Sequence, residues 1–434
     1  MNPNILNINS SPKASLRNTG TTLFSPRSKV LRLRTEMPYS CTAQSREKTG
    51  LRRLNITYYS KRLIFFLLLI FVFSHVWAAC AEDTKGYLSV TGPCDFKFPE
   101  DHGSHQGYRT EWWYYTGNLQ SATGNRYGFQ LTFFRRRIIP LESEKKWPTP
   151  ASAWRTGQIY LAHAAISDLD GKRHFYTQRM GRGVLGIAGE SRDKGIVRIF
   201  LKKWSAQISP KTHHLKMVSD KFSFDLNLTP VKPPVFHGKE GYSQKGSTPE
   251  RASCYYSLTR LETQGQVTLS GKTFSVNGLS WMDHEFSTAS LEPGLVGWDW
   301  FSLQLSDNTE IMIYLLRQKD GKLNAASSGT YIRLNGKTRH LSRQNIDVTV
   351  TDTWNSPKSK AIYPARWRLK IPLLSLDLNI GPNMADQEMR TSESTGVTYW
   401  EGSVSVQGFK NNRRINGQGY VELTGYAKVF DALF

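Results

Sequence analysis

RTEWWYYTGNL at 109–119, followed after a turn by YGFQLTFFR at 127–135, is the stretch on which the fold turns. Side chains alternate across a strand, so Trp112, Tyr114, Thr116 and Asn118 share one face. Trp113, Tyr115, Gly117 and Leu119 share the other. Both faces are apolar at the aromatic end, as in a barrel wall with a filled lumen inside and further packing outside. Ala122-Thr-Gly-Asn125 between the two runs is a hairpin signal. The pair recurs downstream. EWWYYTGNL at 111–119 aligns without gaps on GWDWFSLQL at 297–305, and YGFQLTFFR at 127–135 aligns on TEIMIYLLR at 309–317. In the second copy Trp298, Trp300, Ser302 and Gln304 share a face opposite Asp299, Phe301, Leu303 and Leu305.

Working outward, the chain from 82 reads as roughly fifteen short strands separated by Gly, Asn and Asp turns. The runs 196–209, 214–229 and 365–380 read as single strands, and Gln264-Gly265 and Ser270-Gly271 as turns. No long amphipathic helix interrupts them. The fold class expected is all-β, with two tandem lipocalin-like antiparallel β-barrels, whose closure removes exposed edges. The Pro-, Gly- and Lys-rich stretch 230–250 reads as a long surface loop inside the first unit. The turn LEPG at 291–294 divides a first domain, 82–290, from a second, 291–434.

The formal charge of +22 is unevenly spread. Residues 1–62 hold twelve Lys and Arg against two Asp and Glu, and read as a disordered or mis-started basic tract. Beyond residue 80 basic and acidic residues intermingle, and no nucleic-acid-binding motif is present, so nucleic acid is not an expected partner. LIFFLLLIFVF at 63–73, preceded by Lys61 and Arg62 and followed by Ala78, Ala79 and Ala81, has the layout of a signal peptide, with a membrane anchor over 63–81 as the alternative. The expected location is therefore outside the cytoplasm, in the periplasm or cell envelope. Cys80 follows Trp77-Ala-Ala, a setting similar to that of lipidated cysteines, though an aliphatic usually stands where Trp77 does. Membrane association would run through this segment or Cys80. Four cysteines are too few for a disulfide framework. In an exported chain Cys94 and Cys254 could pair or remain free thiols.

The motifs DHGSH at 101–105, RTEWWYYTGNL at 109–119, WMDHEFS at 281–287, GWDWFSLQL at 297–305, and YWEGSVSVQG with GYVELTGYA within 399–427 resemble, in order, those of the AttH / carotenoid 1,2-hydratase-like family, often described as predicted secreted hydrolases. The resemblance spans about 95–434. It implies two packed lipocalin-like barrels, and members that include hydratases of apolar polyenes. The hydratase branch carries Trp where this chain has Phe286, and only Tyr314 stands in the region of that branch's later Tyr–Asp pair.

Asp283-His284-Glu285 is the densest titratable cluster and the first catalytic candidate. On a strand Asp283 and Glu285 point one way and His284 the other. Adding water to a carbon–carbon double bond needs a proton donor and walls that tolerate a carbocation. A buried carboxyl could be the donor, with Trp112, Tyr114, Trp281, Trp298 and Trp300 as the ligand-binding aromatics. The same cluster could instead be a buried ion-pair network. Glu111 is the second candidate, either orienting a ligand or forming a salt bridge with Arg109 that closes the barrel end. Asp101, His102 and His105, with His163, have metal-ligand residue types but no ligand spacing, and neither a metal nor a cofactor is expected. GRGVLG at 181–186 lacks the βαβ context of a dinucleotide loop. The absence of a G-x-S-x-G elbow argues against a standard serine hydrolase.

Three functions follow: a carrier of a hydrophobic or lipid-like small molecule, a cofactor-free hydratase or isomerase, or a structural envelope protein with filled barrels. A carboxylate inside an aromatic cavity favours the enzyme. A cavity without titratable groups favours the carrier.

Overall fold

The computed structural model describes residues 84–430. The basic N-terminal tract, the 63–81 segment and Cys80 lie outside the described residues.

The first sheet opens with β1 (Thr110–Ser121), β2 (Arg126–Arg137), β3 (Gln158–Asp168) and β4 (Arg173–Arg182). It continues with β5 (Ala188–Asp193), β6 (Ile196–Leu201), β7 (Trp204–Ile208), β8 (His213–Val218) and β9 (Phe222–Pro230). The short β10 (Val235–Phe236) and β11 (Tyr242–Gln244) precede the long β12 (Ala252–Leu269) and β13 (Lys272–Ser287). Its order is β4-β3-β2-β1-β13-β12-β9-β8-β7-β6-β5, with β10 and β11 paired to β12. The sheet curls until Arg179 of β4 lies 4.6 Å over the ring of Trp204 in β7.

The second sheet contains β14 (Leu295–Leu305), β15 (Glu310–Gln318), β16 (Ser328–Ile332), β17 (Thr338–Ser342) and β18 (Asp347–Asn355). It is completed by β19 (Ile362–Ile371), β20 (Leu376–Pro382), β21 (Glu388–Arg390), β22 (Thr398–Lys410) and β23 (Arg413–Leu423). The order is β17-β16-β15-β14-β23-β22-β20-β19-β18, with β21 on β22. The run β2-β1-β13-β12 thus reappears as β15-β14-β23-β22, and the repeat seen in two strands extends to four. The molecule is all-β, with two curled antiparallel sheets as expected.

Alternation sends Trp113, Tyr115 and Leu119 into the core of barrel one with Phe129, Leu131 and Phe133. Phe301, Leu303 and Leu305 fill barrel two. The opposite faces meet: Trp112 and Tyr114 pack with Trp298, Trp300, Met312 and Tyr314 between the barrels. Polar ties cross the same junction. Asn118 Nδ2 donates to Gly419 O at 3.1 Å, and Glu310 of barrel two accepts from Arg260 at 2.6 Å and Lys232 at 2.7 Å.

Three local expectations are corrected, and one open alternative is resolved. Gly265 is not a turn. It sits inside β12 between Leu226 and Val276, and a Cβ there would meet Asp225 O at 2.2 Å, so the glycine permits close backbone approach. The hairpin is at the other expected turn, Ser270-Gly271, where both residues have positive φ. The runs 196–209, 214–229 and 365–380 are each two strands; Lys202 and Ser375 take left-handed φ at two of the breaks. The stretch 230–250 is not merely a surface loop. Its two strand fragments pair with β12, and Val235, His237 and Ser243 are buried. Cys94 and Cys254 form a disulfide that ties the segment before β1 to β12.

Candidate functional site between the barrels

A cavity of about 200 Å³ opens where the outward faces of the two sheets meet. Barrel one contributes Trp112, Tyr114 and Tyr255; barrel two contributes Trp298, Trp300 and Tyr314. The ring centroids of Tyr114 and Trp300 lie 5.1 Å apart, edge to face. Into these aromatic walls project Asp283 and Glu285 from β13, Glu401 from β22, Glu422 from β23 and Lys245 from the segment after β11.

The acids differ in their surroundings. Asp283 accepts from Tyr255 Oη at 2.7 Å, from Trp281 Nε1 at 2.5 Å and from Ser257 Oγ. Burial still outweighs these three bonds and pushes its pKa up to about 7. Glu285 accepts from Ser253 Oγ at 2.5 Å and pairs with Lys245 Nζ at 3.1 Å. The Lys245 ammonium also lies 4.0 Å from the ring of Tyr314. Glu401 and Glu422 are cross-strand partners. Burial, reinforced by Glu422, holds the Glu401 carboxyl well above the usual range. Burial raises Glu422 to about 7, against a bond from Trp298 Nε1 at 3.4 Å. No basic side chain forms a salt bridge with Asp283, Glu401 or Glu422 among the described residues. Tyr114 Oη and Glu401 Oε1 are buried without a well-formed hydrogen bond, and they lie close enough for each to shift the proton affinity of the other.

The expected residues divide between two places. Asp283, Glu285, Trp112, Tyr114, Trp298 and Trp300 line the cavity. Trp281 is buried behind it as a donor to Asp283. His284 and Glu111 face the interior of barrel one instead. His284 Nε2 is 2.9 Å from Glu111 Oε1, and its Nδ1 is 3.1 Å from Tyr256 Oη. The salt bridge of Glu111 is with Arg135, at 2.8 Å, because β2 lies directly beside β1; Arg109 lies over the ring of Tyr87.

His105 completes this second network, 2.7 Å from Glu111 Oε1 and 3.1 Å from Asp101 Oδ1. Burial alone would lower the His105 pKa, but Glu111 and Asp101 raise it to about 9. Arg135 and His105 likewise overcome burial and hold Glu111 well below the usual range. Charges therefore alternate along Asp101, His105, Glu111 and Arg135. Ligand atoms of His105, Glu111 and His284 lie within 4.8 Å of one another, as in a metal site. Both histidines bond to Oε1 of Glu111, and the Arg135 cation occupies the other carboxylate oxygen. His163 is not part of this group. It lies at the barrel junction, 2.7 Å from Tyr399 Oη.

Glu401, Glu422, Lys245, Tyr255, Tyr314 and His163 line the cavity without being legible as cavity residues in the sequence. Glu401 and Glu422 did leave a signal: each is a lone carboxylate in an apolar run, YWEGSV and YVELTG. Lys245 left none, since its segment reads as solvated loop.

An AttH-like family model matches residues 89–426. A kievitone hydratase of Fusarium solani subsp. phaseoli is 23% identical over 208 residues, which cover 47% of this chain and 57% of that protein. The chain thus matches little more than half of that relative's length. Among solved structures, an AttH protein of Nitrosomonas europaea is similar with a TM-score of 0.69 and 31% identity, over 78% of this chain and 99% of that one. Kievitone hydratase of Nectria haematococca shares the fold, with a TM-score of 0.59 and 15% identity over 79% and 96% of the two chains.

Proposed function

Because the chain belongs to the AttH-like family, we propose that it is a hydratase-type acid catalyst, acting without a cofactor on an apolar or amphipathic unsaturated molecule held between the barrels. The observation that carries this reading is the convergence of Asp283, Glu401 and Glu422, three buried carboxyls without salt-bridge partners, in one aromatic cavity. A hydratase relative supports the reaction class.

Asp283 gives its proton to one alkene carbon and becomes a carboxylate. The adjacent carbon carries the positive charge, faced by the rings of Trp298, Trp300 and Tyr314. Water bonds to that carbon and loses a proton to Glu422. Glu401, held protonated, donates a hydrogen bond to the substrate. A donor with a pKa near the working pH suits this role. Export to an oxidising compartment belongs to the same proposal, supported by the Cys94–Cys254 disulfide and the apolar run at 63–73.

The test uses purified protein, a panel of unsaturated fatty acids and isoprenoids, and water enriched in oxygen-18. Labelled alcohol should form with the native protein and be lost in Asp283→Asn and Glu422→Gln. Binding of the same compounds without labelled product would replace this reading by that of a carrier.

A further inference from the structure

The proposed cycle leaves Asp283 ionised and Glu422 protonated, so Asp283 must regain a proton before the next turnover. A substrate in the cavity of about 200 Å³ leaves room on that side for little beyond the reacting water, which gives its proton to Glu422 rather than to Asp283. A second approach exists behind the carboxylate. Ser257 Oγ bonds to Asp283 Oδ1 and lies 2.6 Å from Nε2 of His237. The other ring nitrogen, Nδ1, lies 2.9 Å from Oγ1 of Thr330 in barrel two. Ser257, His237 and Thr330 are all buried. Thr330 of β16 is in register with His340 of β17, so their side chains share one face of the sheet. β17 is the edge strand, and His340 is exposed.

We infer that His340, Thr330, His237 and Ser257 form a proton path that reloads Asp283 from the surface of barrel two. The inference rests on the proposed acid role of Asp283. The three bonded links are chemically suited to it, since hydroxyls both donate and accept and a neutral imidazole carries one donor and one acceptor; the outermost step, from His340 to Thr330, crosses a register pair with no hydrogen bond between the two side chains. With Asp283 ionised, the chain runs from Thr330 O–H to Nδ1, from Nε2–H to Ser257, and from Ser257 O–H to Asp283. One proton taken up by Thr330 Oγ1 from the His340 side then moves the whole row. The Thr330 proton passes to Nδ1, the Nε2 proton to Ser257 and the Ser257 proton to Asp283. One positive charge enters, and the Asp283 charge is neutralised. Hydroxyl rotation and tautomer exchange restore the first orientation.

The groups facing His237 favour its neutral form. Burial lowers its proton affinity most, and Lys245 and His340 lower it further. Tyr255 lies against the ring with centroids 4.2 Å apart. A neutral ring passes protons on rather than storing them. His237 acts through Asp283, and its role is one of positioning and relay.

The plainer alternative is that His237 only ties segment 230–250 to both barrels. His237→Gln separates the two, because an amide can keep the bond to Ser257 but does not relay protons by tautomer exchange. The experiment is time-resolved infrared spectroscopy of the full protein after a pH jump, with the cavity occupied by a saturated fatty acid that closes Asp283 off from bulk water on that side. The protonated carboxyl band of Asp283 is identified by its absence in Asp283→Asn. Reprotonation should slow about tenfold or more in His237→Gln and in the exposed variant His340→Gln, with the midpoint of the titration unmoved. An unchanged rate in either variant overturns the path. Turnover that survives Asp283→Asn would instead remove the catalytic reading, while the infrared rates still report on the path.

Discussion

Asp283 and Glu422 occupy the same position in two different barrels. Tyr114 of β1 is in register with Asp283 of β13, and Trp300 of β14 is in register with Glu422 of β23. Tyr114 and Trp300 are themselves equivalent in the alignment of 111–119 on 297–305. Duplication therefore made two copies of an aromatic–carboxyl pair, and packing the barrels face to face put both around one cavity.

These raised acids have a consequence for stability. Asp283 and Glu422 sit near 7 in the folded protein, above the value of about 4 for a free carboxyl. Their stabilising contribution is complete below about pH 4 and is lost as pH rises through about 7. The melting temperature should fall between about pH 5 and 8, and Asp283→Asn should flatten that fall. Product formation should pass through a maximum near pH 7, because the donor Asp283 must be protonated while the acceptor Glu422 must be ionised. A melting temperature that climbs across this interval in the native protein counts against the assignment.

Glu111 and Arg135 form a fully buried ion pair in barrel one. Removing one partner strands the other charge, at a cost of about 3–5 kcal/mol. Glu111→Gln should lose that much in urea unfolding, and the double variant Glu111→Gln/Arg135→Met should recover part of it. Activity per folded molecule should be unchanged, because Glu111 does not line the cavity. An activity loss without a stability loss would restore Glu111 as a catalytic candidate.

His105 is raised to about 9 by Glu111 and Asp101. Its contribution is present below about pH 6.5 and is lost as pH rises through about 9. Replacing His105 by Gln should remove the alkaline loss of stability, as read from melts between about pH 7 and 10. Persistence of the full loss in that variant would refute this source.

The Cys94–Cys254 disulfide closes a loop across a separation of 160 residues. Restriction of the unfolded chain predicts a loss of about 2–5 kcal/mol in the paired Cys94→Ser/Cys254→Ser variant. Equal urea midpoints with and without reductant would refute it.

Trp300 donates to Tyr255 Oη at 3.1 Å, and that hydroxyl in turn donates to Asp283. Trp300→Leu removes a cation-facing ring and one link to the acid. Losing the ring's interaction, worth about 0.5–2 kcal/mol, should reduce kcat roughly two- to thirtyfold. An unaltered kcat would show that Trp300 does not face the reacting carbon.

By itself, the sequence determined the all-β fold, the repeat and the two faces of β1 and β14. Those depend on periodicity, and a period of two is written in the residue order. It also marked Asp283, Glu285 and four of the six wall aromatics, because they lie in dense local runs. Only the tertiary structure decided which charges meet. His284 and Asp283 are neighbours in sequence, yet the pleat sends one into barrel one and the other into the cavity. Arg135 rather than Arg109 reaches Glu111 because strand pairing sets that distance. Glu401 and Glu422 of barrel two meet Asp283, Glu285 and Lys245 of barrel one because two barrels close on each other.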